Sequence, residues 1–409
     1  MAKLPYNIRL CLAVLLTSFF AGLSGILMHE LLNVVEWLAY GKSMENFLTL
    51  VTHTTPIRRL LAIFVMGILV AIFWYHLQRK HALVSIKEQS TSSKESSLRP
   101  RFWQHILHTF VQIAFVGAGG PVGKEGAPRE FGALSAGRVG HQFALTLKDK
   151  HLLIVCGASA GLAAVYQVPL SSFFFAFETF ALTFSLRSGV IVLFTTYAAT
   201  ALSNPIVTSH AMYDVAKVSF SSNNLPALVL LAILIAPLAG CFRSLTQKAN
   251  HYRKKDKAIL YTLPLATLVT GSFALIFPSI LGNGSALVQE AFNGIGFSRA
   301  AVLFVIKAIV VLLCLGAGAY GGTLTPSFAL GSLLGLMLFE VSHTFLGIAH
   351  PELLMLAGAA SFLAVTMKAP LTSAGLAIAF TTQDPMLLIP ILFCVFLTTT
   401  LHQFLTKEN

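Results

Sequence analysis

A single carboxylate inside a glycine-rich interruption is the group best placed to do chemistry in this 409-residue chain. Glu125 lies in Gly117-Ala118-Gly119-Gly120-Pro121-Val122-Gly123-Lys124-Glu125-Gly126-Ala127-Pro128, between two long apolar runs. Hydrocarbon tolerates a broken helix or a charge only where protein or a water-filled path satisfies it. Pro128 suits the opening turn of a helix. Amides at such a start carry partial positive charge and favour an anion. The anion-binding candidates at this break are Gly123, Lys124 and Gly126. Glu125 can take the same spot when no free anion is there. A carboxylate that competes with an anion, and leaves when protonated, is a gate and a proton carrier in one group. The stretch is not a phosphate-binding loop. That pattern needs Gly where Ala118 stands and Ser or Thr where Glu125 stands.

A second interruption runs Gly316-Ala317-Gly318-Ala319-Tyr320-Gly321-Gly322-Thr323-Leu324-Thr325-Pro326-Ser327-Phe328. Its formal G-x-G-x-x-G lacks the preceding strand that a dinucleotide site requires. It reads instead as another broken helix. Pro326 starts the new segment, amides near Leu324 and Thr325 can point at an anion, and the Thr325 hydroxyl adds a donor. A third candidate is Glu178, at the end of the aromatic run Phe173-Phe174-Phe175-Ala176-Phe177, where it faces a polar vestibule or caps an interface. Lys307 and Lys368 lie in apolar context, Lys368 as a residue that snorkels to an interface and either as the balance of a buried acid. The histidines are scattered without metal-ligand spacing, and neither metal nor cofactor is expected.

The elements that must position these groups are membrane helices. Only 11% of residues are charged and 56% are hydrophobic, against about 25% charged in soluble domains. Apolar runs fall near 8–38, 57–78, 103–122, 151–185, 188–204, 225–243, 258–281, 299–320, 326–348, 351–382 and 385–405. Continuous runs exclude a β-barrel, which shows short alternating segments. Several runs are too short or too broken for one span, as re-entrant helices would be. The net charge of +12 sits in short polar connections such as 79–101 and 248–257. It therefore reads as a positive-inside signal and not as nucleic-acid binding. Gln89–Pro100 reads as a solvated loop. The five cysteines, all in apolar segments, read as small buried residues without disulfides.

The halves resemble each other. Gly157-Ala158-Ser159-Ala160-Gly161-Leu162-Ala163-Ala164 is matched 201 residues later by Gly358-Ala359-Ala360-Ser361-Phe362-Leu363-Ala364-Val365. Pro128–Gly137 is echoed 198 residues later by Pro326–Gly335, and Ala82-Leu83-Val84 is echoed 204 later by Ala286-Leu287-Val288. Paired broken helices in duplicated halves mark a transporter with its site near the midplane. The expected plan is one all-α polytopic membrane domain over 1–405, with repeat halves 8–204 and 225–405.

These motifs resemble the CLC family of chloride channels and proton-coupled anion exchangers. Gly123-Lys124-Glu125-Gly126 is similar to the family's Gly-Lys/Arg-Glu-Gly-Pro, and Gly321-Gly322-Thr323-Leu324-Thr325-Pro326 to its Gly-Gly-Ile-Phe-Ala-Pro. The resemblance implies an inverted-repeat fold, a homodimer in the cell (inner) membrane and one anion pathway per subunit. Glu125 then matches the external gating glutamate, Leu324 the residue whose amide contacts anion, and Thr323 its neighbour. His81 stands where the family's first anion loop carries its central serine. Thr179 stands where many exchangers carry an inner proton glutamate, with Glu178 beside it as substitute. No residue is assigned to the family's central tyrosine, and no soluble CBS domain is expected. The implied function is transport of chloride or a similar small anion, channel-like or weakly proton-coupled. A proton-coupled fluoride antiporter is the alternative, since Leu324-Thr325-Pro326 resembles the Val-Thr-Pro of fluoride exporters; nitrate is a further candidate anion. A membrane-embedded enzyme and a non-transporting remnant are readings of another class. Catalysis is not expected, because no nucleophile or metal constellation is visible.

Overall fold

The computed structural model describes residues 4–41, 46–79, 83–86, 101–208, 211–347 and 350–406. Sixteen α-helices are formed among them: α1 (Tyr6–Tyr40), α2 (Phe47–His53), α3 (Pro56–Gln78), α4 (Phe102–Gly117), α5 (Gly126–Gln142), α6 (Leu147–Tyr166), α7 (Pro169–Phe180), α8 (Leu186–Ser203), α9 (Leu225–His251), α10 (Ile259–Ala274), α11 (Ser285–Phe292), α12 (Phe297–Ala317), α13 (Leu324–Leu346), α14 (Glu352–Met367), α15 (Pro370–Thr381) and α16 (Leu388–Thr406). Among the described residues, seven helical segments, containing α1, α3, α8, α9, α12, α13 and α16, are long and apolar enough to cross a membrane. The protein is a multi-pass membrane protein. The stretch Gln89–Pro100 and His81 lie outside the described residues.

Proline chemistry explains why the apolar runs 151–185 and 351–382 each hold two helices. A residue before proline is pushed out of the α region. Val168 sits at φ −125° and Ala369 at φ −139°. One residue earlier, Gln167 and Lys368 close α6 and α14 in the left-handed conformation, at φ 56° and 54°. The next helices end the same way, on Ala181 at φ 49° and Thr382 at φ 47°. Each pair is 201 residues apart, so the offset seen in residue types recurs in backbone geometry.

Contacts divide the chain into two compact units. The first comprises Met1–Asn33, His76–Ala114 and Lys124–His210. Its centre is α6, buried from Leu152 to Val165. Helix α5 lies against it so closely that a Cβ on Gly132 would come 2.1 Å from the Gly157 carbonyl oxygen. This contact explains a helix the apolar runs do not contain. Helix α5 is rich in Gly, Ala, Ser and Arg, yet Phe131 to Ala136 are all buried. Its driving force is close backbone approach rather than large apolar side chains. Ala21 of α1, Ala160 and Ala164 of α6 and Ala199 of α8 form another small-residue cluster.

The second unit comprises Val34–Tyr75, Phe115–Gly123 and Ala211–Asn409. Helices α13 and α14 repeat the same device: a Cβ on Gly331 would come 2.2 Å from the Gly358 carbonyl oxygen. Lys307 of α12 is fully buried. Its Nζ donates to the carbonyls of Ile280 at 2.9 Å and Gly282 at 2.7 Å. Its hydrogen-bonded partners are thus backbone dipoles and not the acid the sequence suggested, because the turn 278–282 leaves carbonyls facing α12. Lys307→Met keeps the bulk and removes the donor. It is expected to cost about 2–4 kcal/mol, from two buried carbonyls losing their partner, read as a lower melting temperature in detergent. A variant melting with wild type would show that the ammonium contributes nothing. Lys368 is exposed. Among the cysteines, Cys156, Cys314 and Cys394 are buried, but Cys11 and Cys241 are exposed on their helices; an apolar run does not say which face of a helix points outward.

Candidate functional site

The two interruptions meet within the second unit. After α4, Gly119 adopts φ +102° and Gly120 donates to the Phe115 carbonyl at 2.8 Å. After α12, Gly318 adopts φ +128° and Ala319 donates to the Cys314 carbonyl at 2.9 Å. Glycine supplies the positive φ without steric cost in both turns. Downstream, Gly123 and Gly322 form an isolated antiparallel bridge. The Gly123 amide donates to the Gly322 carbonyl at 2.7 Å, and the Gly322 amide returns the bond at 2.9 Å. These glycines are 199 residues apart, as are Gly119 and Gly318. Each break is thus hydrogen-bonded to its own counterpart, in an exchange that looks the same from either strand.

The first break is anchored further by two bonds in the same unit. The Tyr40 hydroxyl donates to the Ala118 carbonyl at 2.7 Å, and the Gly282 amide donates to the Gly119 carbonyl at 2.9 Å. Because Lys307 holds Gly282, the lysine positions this break at one remove. On the second break, the Tyr320 ring packs against Trp74 at 5.3 Å between centroids, tilted by 57°, and the Arg253 guanidinium lies 4.0 Å from the Tyr320 ring centroid.

Both interrupted helices restart alike. Thr323 precedes Leu324 and Thr325, and Pro326 is the third residue of α13. Leu324 is 1% exposed and Thr325 is fully buried; Thr323 is half-buried. In the first unit, Glu125 precedes Gly126 and Ala127, and Pro128 is the third residue of α5. The Glu125 side chain is 0% exposed, yet it makes no capping bond to the first turn of α5. An ordinary N-terminal acid would cap that turn. Glu125 Oε2 instead accepts from the Tyr166 hydroxyl at 3.3 Å. Lys124 is half-buried with its Nζ 5.4 Å from the Tyr166 ring centroid. Gly123 and Gly126 are the flanking positions, the first buried and the second half-buried. Glu178 lies half-buried in the last turn of α7, beside Thr179.

Sequence reasoning missed two partners. Tyr166 is the terminal residue of α6, and nothing local marks it as a partner of an acid 41 residues earlier. Arg129, four residues after Glu125, has its guanidinium 4.6 Å from the Phe175 ring centroid; the i, i+4 spacing was the available signal. The histidines are also less scattered than they read, since His105 and His108 of α4 are both buried. Tyr166→Phe removes the hydroxyl on Glu125. Losing about 0.5–1 kcal/mol of that seat is expected to raise anion flux two- to fivefold at neutral pH, measured in liposomes; unchanged flux would mean the hydroxyl does not hold the carboxylate.

The family model described as voltage gated chloride channel matches residues 66–403. The chain is 29% identical over 393 residues to the voltage-gated ClC-type chloride channel ClcB of Escherichia coli strain SMS-3-5, covering 92% of each chain. The solved structure of a slow cyanobacterial Cl−/H+ antiporter superposes with a TM-score of 0.84 at 22% identity, over 98% of this chain and 95% of that one. A CLC-type fluoride/proton antiporter superposes with a TM-score of 0.74 at 18% identity, over 98% and 96%. The two structural matches establish the fold.

Proposed function

The chain belongs to the voltage-gated chloride channel family, and from that premise we propose that it carries chloride, or a similar small anion, across the cell (inner) membrane through a path gated by Glu125. One observation carries this reading: the reciprocal Gly123–Gly322 bridge joins the two helix breaks, and a buried carboxylate follows it by two residues. The candidate anion contacts are Gly123, Thr323, Leu324 and Thr325 in the second unit and Lys124 and Gly126 in the first. Amides other than that of Gly123, which the bridge occupies, together with the threonine hydroxyls replace the hydration shell of the anion. Glu125 competes for the same place and yields when an anion arrives or when it is protonated. The path is channel-like or weakly proton-coupled, with Glu178 as the secondary acid. The protein works as a homodimer, without a cofactor and without catalysing a reaction. The fluoride/proton antiporter with the same fold, together with Leu324-Thr325-Pro326, favours fluoride export as the second reading.

The test is anion efflux from liposomes containing the purified protein, loaded in turn with chloride, fluoride or nitrate, with external pH recorded. Selective efflux of chloride is the expected result. Fluoride preference with uphill proton movement would establish the second reading. Absence of efflux for every anion would refute transport and leave a membrane protein whose path is closed.

A further inference from the structure

One helical turn behind Glu125, in the same unit, lies a cation whose donors are not satisfied. Arg129 is the fourth residue of α5. At i+4 it shares the helix face of Glu125, and helical side chains lean back towards the helix start. The residue is half-buried, but its Nε is buried and has no hydrogen-bond partner. The guanidinium lies 4.6 Å from the Phe175 ring centroid. That ring is fully buried and is braced edge-on by Phe180, 5.6 Å away between centroids. Helix α6 closes in on the backbone here: a Cβ on Gly161 would come 3.2 Å from the Arg129 amide nitrogen.

The acids nearest in sequence do not pair with it. Glu130, the next residue, is taken by α4: the His105 Nδ1 is 2.7 Å from its Oε1, and Gln112 Nε2 donates to its Oε2 at 3.0 Å. Glu125 is held by the Tyr166 hydroxyl and acts on the guanidinium through charge, without a hydrogen bond between them. A guanidinium carries five N–H donors and keeps its charge at any working pH. The face of Phe175 attracts the cation but offers no acceptor. Donors left buried without an acceptor are costly, so this position calls for one from outside the chain. A small inorganic anion has the matching chemistry.

We propose that Arg129 is an anion-binding residue, one turn past the gate, whose negative partner alternates between the Glu125 carboxylate and a free monovalent anion. The inference rests on the transport reading above and adds a guanidinium to that site. While Glu125 is ionised, its charge offsets that of Arg129. When Glu125 is neutral, the guanidinium has lost its counter-charge, and an anion from solution supplies it. Neutralising the carboxylate therefore tightens anion binding as well as vacating a place. The ligand class follows from the donor geometry. A planar fork of N–H groups holds a planar oxyanion such as nitrate through two parallel bonds, whereas spherical chloride is served equally by a point charge.

The experiment is isothermal titration calorimetry of sodium chloride and sodium nitrate into the purified full chain in detergent. Glu125→Gln is expected to bind both anions more tightly than wild type. Adding Arg129→Gln to that background is expected to weaken both by about tenfold, as one charge-assisted hydrogen bond is worth. Adding Arg129→Lys instead is expected to keep most of the chloride affinity while nitrate stays weak. A merely structural role for the arginine would not separate the two anions. Binding in Glu125→Gln/Arg129→Gln equal to that in Glu125→Gln overturns the proposal, as does the absence of binding in Glu125→Gln. Where the glutamine variant does not fold, the lysine variant decides: equal changes for chloride and nitrate overturn the proposal. Anion efflux from liposomes is measured on the same preparations. If neither wild type nor Glu125→Gln moves any anion, it is the transport reading that fails, and the calorimetry still decides whether Arg129 binds one.

Discussion

Glu125→Gln raises chloride efflux at neutral pH about tenfold and abolishes most of its increase on acidification. The expectation is electrostatic. A carboxylate just before a helix start and a free anion drawn to that start repel each other. Two unit charges about 4 Å apart repel by about 4 kcal/mol at an effective dielectric of 20. Screening and movement of the side chain reduce this, and a third of it corresponds to a factor of about ten. Glutamine keeps the shape of the side chain and its bond to the Tyr166 hydroxyl, so the charge is what changes. Efflux and pH response both equal to wild type would remove Glu125 from the gate. A silent variant beside an active wild type would make the carboxylate a carrier in the transport cycle rather than a lock.

The second large effect is structural. Gly132→Ala and Gly331→Ala are each expected to cost about 3 kcal/mol or more, at the upper end of what overpacking does. In both, the new methyl meets a backbone carbonyl oxygen, at 2.1 Å from Gly157 O and 2.2 Å from Gly358 O. A backbone oxygen inside a buried helix cannot swing away as a side chain does, so the helices must part. Gly316→Ala is the control. It lies near the end of α12 with nothing within 4 Å of the added Cβ, and alanine favours a helix over glycine by up to about 1 kcal/mol. Thermal melting in detergent, with the monodisperse fraction on size exclusion, measures all three. If Gly132→Ala and Gly331→Ala melt with the control, close helix approach is not what holds α5 to α6 or α13 to α14.

Much of this architecture is legible residue by residue, because its rules act over a few residues. Pro169 and Pro370 end the helices before them by local sterics, so the two-helix content of their apolar runs follows from the chain. Gly119 and Gly318 permit the positive φ that turns the chain out of α4 and α12. Pro128 and Pro326 stand in opening turns, as their chemistry requires. Duplication is visible because equivalent turns need equivalent residues. The start of helix α5 is legible at Pro128 but its extent is not, because a helix held by backbone approach shows small and polar residues, not an apolar stripe.

Burying Glu125 away from lipid follows from sequence logic alone, since a lone carboxylate in a span must be sheltered. Who shelters it does not. Tyr166 comes from another helix, and its distance along the chain carries no periodic signal. The same holds for Glu130 with His105, for Lys307 with the 280–282 carbonyls, and for Gly123 with Gly322. Local sterics and burial set where the chain breaks and which groups must be satisfied. Partner identity depends on which helices lie side by side, and only the folded chain decides that.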